Sequence, residues 1–229
     1  MNIFFKMRKI NKEMFFRVII ISILFFTSGC LYSEESVPEI IYSPKEEIIT
    51  QVSKPVITTF EISPNEWVPP SQFENKKRWQ GMVIHHSAFS YGCAAHEDKY
   101  HKSLGWNGLG YHFVINNGIF RRGYGRADGL VEVGYRWREQ KTGSHCRPDD
   151  DYSNYWNKHT IGICLIGDFE KSRPTERQWR SLIKIVRFLQ ERYNISANQV
   201  KVHRDVKATK CPGRYFSVGE FRRRLFEQR

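Results

Sequence analysis

From residue 81 onward, short apolar runs alternate with segments of helical spacing. "GMVIHHSA" (81–88) is apolar up to two histidines and predicts a short buried strand. "CAAHEDKYHKSLG" (93–105) predicts a helix that stops at Gly105. "YHFVI" (111–115), the turn "NNG" (116–118) and "IFRRG" (119–123) predict a hairpin. Residues 124–158 hold Gly, Asp, Arg and aromatics without a period and predict a long loop. "TIGICLIG" (160–167) predicts a second buried strand. The clearest helix covers 175–194: Trp179, Leu182, Ile183, Val186, Leu189 and Tyr193 share one face, and Thr175 with Gln178 forms a capping box after Pro174. "QVKVH" (199–203) predicts a strand that delivers His203 at its end. Residues 217–229 predict a closing helix, opened by Ser217 and Glu220. Strands alternating with helices give an α/β class: a single domain with a central mixed β-sheet flanked by helices, mixed because of the hairpin.

Charge divides the chain into three regions. Residues 1–29 carry Lys6, Arg8, Lys9, Lys12 and Arg17, then the apolar run "VIIISILFF", then "TSGC". That run is shorter than the roughly 20 residues a helix needs to cross a bilayer, so the region predicts a targeting segment. "TSGC" resembles a bacterial lipobox, with Thr27 where Leu is more usual. The resemblance implies a lipoprotein signal peptide over 1–29, cleavage before Cys30, a lipid on Cys30, and anchoring to a bacterial membrane, the outer membrane facing the periplasm. Residues 30–75 hold eight Glu, two Lys and no Gly, which predicts an acidic extended tether. Residues 76–229 hold 29 Lys and Arg against 15 Asp and Glu and are long enough for one hydrophobic core. The domain thus carries +14 in a chain of formal net charge +12, a surplus that suits carboxylate-bearing ligands. No nucleic-acid motif accompanies it, so nucleic acid is not an expected partner, and a monomer is expected.

Metal-binding side chains are the chemistry that stands out. His203 and Cys211 lie eight positions apart in a polar, loop-like stretch. Catalytic zinc takes three protein ligands and keeps a fourth position open. His85 and His86, at the end of the first strand, offer the third. Neighbours in a regular strand face opposite sides, so only one of the two can point to the metal.

Four stretches in order carry a resemblance over nearly the whole of 81–213: "VIHHSA" (83–88), "GWNGLGYHFVI" (105–115), "TIGICLIGDF" (160–169) and "HRDVKATKCPG" (203–213). They resemble the zinc-dependent N-acetylmuramoyl-L-alanine amidases, the family that includes phage amidase lysozymes and animal peptidoglycan recognition proteins. The resemblance implies an amidase/peptidoglycan recognition protein-like fold and hydrolysis of the amide between N-acetylmuramic acid and L-alanine, in wall remodelling or recycling. It implies Zn2+ as cofactor with His85, His203 and Cys211 as ligands, and a structural or supporting role for His86. Tyr111 and Thr209 take the catalytic positions: Tyr111 beside the activated water, Thr209 at the developing oxyanion. Trp106, Asn107, Arg126 and His145 fall in stretches that line the family's cleft for peptidoglycan or muropeptides. Some bacterial relatives carry a glutamate within the "IGIxLxG" strand; here that position is Cys164, so proton handling falls to Tyr111 and Thr209. The alternative is a non-catalytic peptidoglycan-binding module, and the presence of Cys211 and Tyr111 favours the enzyme. Of the remaining cysteines, Cys164 reads as a buried free thiol. Whether Cys93 and Cys146 pair is left open by their spacing.

Overall fold

A computed structural model of the protein describes residues 67–73, 79–146 and 154–227. The expected targeting segment, Cys30 and most of the expected tether lie outside the described residues. Five strands form one sheet in the order β3-β2-β4-β1-β5, with β1 at Gly81–His86, β2 at Phe113–Ile115, β3 at Val131–Val133, β4 at Thr160–Leu165 and β5 at Val200–Val202. β1 runs parallel to β4 and β5, and β2 runs parallel to β4; the β2–β3 pair alone is antiparallel. The mixed sheet expected from the sequence is therefore present.

Register assigns each strand residue a face. Ile84 pairs with Ile163 and Val202, and Phe113 with Ile163, so these apolar side chains line one face. Helix α4 (Glu176–Tyr193) covers that face, and its Leu182, Ile185, Val186 and Leu189 join the same buried cluster. The predicted capping box is formed: Thr175 Oγ1 accepts the Gln178 N–H, and the Gln178 side chain accepts the Thr175 N–H. The Gln178 amide also donates to the carbonyls of Ile115 and Ile166, which pins the helix to the ends of β2 and β4. One residue along, His85 pairs with Cys164, and Cys164 with Val114, on the opposite face. Helix α1 (Ala94–Ser103) starts over this second face, where Ala94 and Tyr111 pack on Leu109, Val114 and Ile166.

Three expectations are corrected. The partner of β2 is 131–133, not 119–123: the chain makes a separate excursion in which only Arg121 and Tyr124 bridge, and Phe120 stays 70% exposed. An apolar pair bounded by arginines looked like a strand, but it meets no sheet. The stretch 124–158 is not all loop. Besides β3 it holds the one-turn helices α2 (Tyr135–Arg138) and α3 (Tyr155–His159), too short to show a period. Finally, packed structure begins before residue 76. Trp67 is 2% exposed, its carbonyl accepts the Trp137 indole N–H at 2.8 Å, and its ring meets Phe188 edge-on at 5.5 Å. Two further helices, α5 (His203–Val206) and α6 (Val218–Glu227), follow β5.

Candidate metal centre

His85 stands at the end of β1 on the face away from α4, and His86 on the other, as strand alternation requires. The His86 ring is used structurally: its Nδ1 accepts the Phe169 N–H at 3.1 Å. His203 opens α5 immediately after β5, the strand beside β1. Cys211 returns on the turn that follows, and its thiol accepts the His86 backbone N–H at 3.4 Å. One ligand atom each from His85, His203 and Cys211 falls within 4.8 Å of the others. The structure thus brings the expected triple together from two adjacent parallel strands and one turn.

Buried neighbours decide which nitrogen of His85 is available. His145 Nε2 lies 3.2 Å from the Thr160 carbonyl, which can only accept, so that nitrogen carries hydrogen. His145 Nδ1 is then an acceptor, 3.1 Å from His85 Nε2, and His85 Nε2 carries the second hydrogen. His85 Nδ1 is left with its lone pair, 3.8 Å from Cys211 Sγ. Tetrahedral zinc with ordinary bond lengths separates a nitrogen and a sulfur ligand by about 3.6 Å. His203 Nε2 is buried with no hydrogen-bond partner. A borderline cation therefore fits this donor set: it would take up an orphaned nitrogen, an aimed lone pair and a thiol.

The same burial shapes the charge states. Desolvation, reinforced by His203 and His145, holds His85 well below the usual histidine range. Burial and then Lys207 bring His203 down to about 4, so both rings are neutral at pH 7, as a metal ligand must be. Burial pushes the Cys211 thiol up to about 12, so without a cation it keeps its proton. A bound cation favours the thiolate and releases that proton.

His145 was expected in the cleft; the geometry places it beneath His85. Two glycines approach its ring closely. A Cβ on Gly162 or on Gly143 would each come within 2.4 Å of its Cδ2. Gly162 and Gly143 thus act as slots, and no motif reading signalled this. Tyr111 lies beside the cluster, its ring 5.3 Å from that of His85 and its hydroxyl paired with the Cys164 thiol. Burial, then Cys164 and Glu97, hold the phenol well above its usual range. Thr209 is exposed, and its Oγ1 accepts the Cys211 N–H at 3.2 Å, so its own hydroxyl hydrogen stays free.

Trp106 stacks on His101 with centroids 4.6 Å apart, and His101 lies 5.4 Å from Tyr111, so a file of rings leads from the surface toward His85. Trp106 and Asn107 share a cleft of about 290 Å³ with Arg136 and Thr142–Ser144. Arg126 does not line it; its guanidinium faces Glu132 at 3.5 Å and the Gly125 carbonyl. A larger cavity of about 710 Å³, between α4 and α6, lies on the other side of the sheet and contains none of these groups. Among the described residues Cys93, Cys146, Cys164 and Cys211 form no disulfide, so Cys93 and Cys146, both buried, are not joined to each other. Cys164 is the buried thiol the sequence suggested.

Comparison with known proteins finds relatives of the whole domain. Rat "Peptidoglycan recognition protein 1" is 30% identical over 167 residues, covering 67% of this chain and 81% of that protein. The endolysin of Escherichia phage T7 is 28% identical over 149 residues, 62% of this chain and 85% of the endolysin. Among solved structures, the N-acetylmuramoyl-L-alanine amidase LysC from Clostridium intestinale URNW superposes with a TM-score of 0.54 at 30% identity, covering 69% of this chain and 91% of that one. A family profile described as N-acetylmuramoyl-L-alanine amidase matches residues 75–214, which include His85, Tyr111, His203 and Cys211. The chain belongs to the N-acetylmuramoyl-L-alanine amidase family.

Proposed function

We propose that the protein is a zinc-dependent amidase that cleaves peptidoglycan or muropeptides between N-acetylmuramic acid and L-alanine. The observation that carries this is the convergence of His85, His203 and Cys211 with Tyr111 beside them in a member of this family. His85 offers its Nδ1 lone pair, His203 a buried nitrogen and Cys211 its sulfur. Zinc held there supplies Lewis acidity toward water and toward the scissile carbonyl.

The protein's own groups would act beside it. Tyr111, kept protonated by burial, is a hydrogen-bond donor and not a base at pH 7. Thr209 has its hydroxyl hydrogen free because its oxygen is already engaged by Cys211 N–H. A donor that reaches the amide oxygen as it becomes negative contributes about 3 kcal/mol, and Tyr111 would have to turn its hydrogen from Cys164 to do so. The cleft at Trp106 and Asn107 offers one ring face and one amide for the substrate. A non-catalytic wall-binding module is the second reading, and the presence of Cys211 and Tyr111 speaks against it. The sequence from Lys6 to Cys30 supports a lipid anchor on Cys30 that holds the domain at a bacterial membrane, facing the wall.

The test is mass spectrometry of muropeptides after incubation with the purified protein. Free stem peptide and unsubstituted muramyl sugar are expected with zinc, and neither after chelation. Cys211→Ser should abolish both bound zinc and product. Binding to peptidoglycan without any product would leave the binding module standing.

A further inference from the structure

His145 is held both by its ring and by its backbone, and the backbone hold is a residue with no chemistry of its own toward a metal. Residues 143–146 belong to no strand or helix, yet His145 and Cys146 are buried, and buried backbone N–H and carbonyl groups need partners. Asn157, buried in the one-turn helix α3, meets them. Its Oδ1 accepts the His145 N–H at 2.8 Å and the Cys146 N–H at 2.9 Å. Its Nδ2 donates to the Cys146 carbonyl at 2.5 Å and to Asn154 Oδ1 at 2.7 Å. Its backbone carbonyl accepts the Gly143 N–H at 2.9 Å. Two donors meet the amide oxygen and two acceptors meet the nitrogen, so the side chain's capacity is filled and its orientation is fixed. Three residues on, the Thr160 carbonyl takes the His145 ring at Nε2. One short stretch, 157–160, therefore fixes both the backbone and the ring of His145.

We propose that Asn157 is a positioning residue of the metal centre: it fixes the His145 backbone so that the His145 ring holds His85 Nε2 and leaves His85 Nδ1 aimed at the cation. The route is short. Asn157 Oδ1 takes the His145 N–H, His145 Nδ1 lies 3.1 Å from His85 Nε2, and His85 Nδ1 lies 3.8 Å from Cys211 Sγ. The Cys146 thiol comes to 3.3 Å from the same His145 Nδ1, so one amide sets both the ring and the sulfur beside it. With Gly143 and Gly162 both close to Cδ2, the ring has little room to compensate for a shift of its own backbone. Removing the amide leaves two adjacent buried N–H groups without their acceptor and the Cys146 carbonyl without its donor. Such groups turn toward other partners, and the imidazole moves with them.

This role rests on the reading of His85, His203 and Cys211 as zinc ligands, and it is tested without turnover. Competition of the metal-free protein with a chromophoric chelator should show zinc affinity about 10- to 100-fold lower in Asn157→Ala. In a His145→Ala background the same change should cost at most about twofold, because the route through the ring is already gone. A folded Asn157→Ala with wild-type affinity would overturn the proposal, and so would an equal loss in both backgrounds. A purely structural asparagine would leave the ring protons where they are. In metal-free wild type, NMR with 15N-labelled histidine should show His85 and His145 each protonated at Nε2 alone. In Asn157→Ala both rings should exchange between their two nitrogens, and retention of the wild-type pattern would sink the idea. A third measurement needs no variant. The His145 and Cys146 amide hydrogens bond to Asn157, so opening of this loop should spoil the site, and bound zinc should slow their exchange with solvent. Equal exchange with and without bound zinc would overturn the proposal. Wild type that binds no zinc, yet keeps the single ring form that Asn157→Ala loses, would overturn the zinc reading alone.

Discussion

Replacing Gly162 by Ala tests whether the His145 slot controls the metal site. Gly162 lies in β4, where alanine would ordinarily be at least as good as glycine, by about 0.5–1 kcal/mol. Here the added Cβ would sit 2.4 Å from His145 Cδ2 and 2.5 Å from Cγ. Ordinary contact starts near 3.4 Å, so the ring has to move by about 1 Å, and Gly143 already lies close to the same Cδ2. A shift of that size stretches the 3.1 Å contact to His85 beyond hydrogen-bond range. The loss of a buried hydrogen bond costs about 1–3 kcal/mol. Removing the partner that orients a metal-binding histidine lowers affinity by about 10- to 100-fold. The assay is competition for zinc between metal-free protein and a chromophoric chelator, together with thermal unfolding with and without zinc. His145→Ala should give a similar loss, and the double variant little more, because both changes break one contact. Zinc affinity within twofold of wild type in Gly162→Ala, with stability equal or higher, would refute the relay from Thr160 through His145 to His85.

Tyr111→Phe should bind zinc normally and lower turnover by about 100-fold in muropeptide kinetics, since it removes a donor and keeps the ring. Thr209→Val should weaken zinc binding as well as turnover, because Thr209 Oγ1 also holds the Cys211 N–H; Thr209→Ser should restore the zinc half of that defect in a chelator competition. Trp67→Ala should cost about 3–5 kcal/mol in denaturant unfolding, whereas a residue of an unpacked tether would cost almost nothing. Cys30→Ala should move the protein from the membrane to the soluble fraction and remove the lipid mass, and unchanged fractionation would discard the lipobox reading.

The site was legible where its chemistry is written in a few residues. His85, His203 and Cys211 are rare side chains in distinctive settings; strand alternation left room for only one of His85 and His86 at a metal, and the family resemblance chose His85. The capping box at Thr175 was legible because its partners are three residues apart. What escaped depends on distant parts of the chain. His145 was expected only as a cleft residue; its place against His85, Gly162 and Thr160 appears once the fold is formed. Glu97 lies in a segment with few apolar residues, where helical spacing gives no hint of which side is buried. β3 is three residues long, and only its pairing with β2 makes it a strand. Trp67 looked like part of a linker because the residues around it are polar and rich in proline.

The proposed ligand set also joins distant parts of the chain: His85 and Cys211 are 126 residues apart. The site therefore cannot exist on a partly synthesised chain, and any fragment ending before residue 211 lacks the sulfur. Its assembly waits for parallel pairing of β1 with β4 and β5, contacts of long sequence separation that form late and slowly. Once formed, a zinc ion would act as a clasp across that long loop, and the loop-closure entropy it would hold grows only slowly with length. Folding order thus works as a delay: hydrolytic power would appear only when the whole domain has closed.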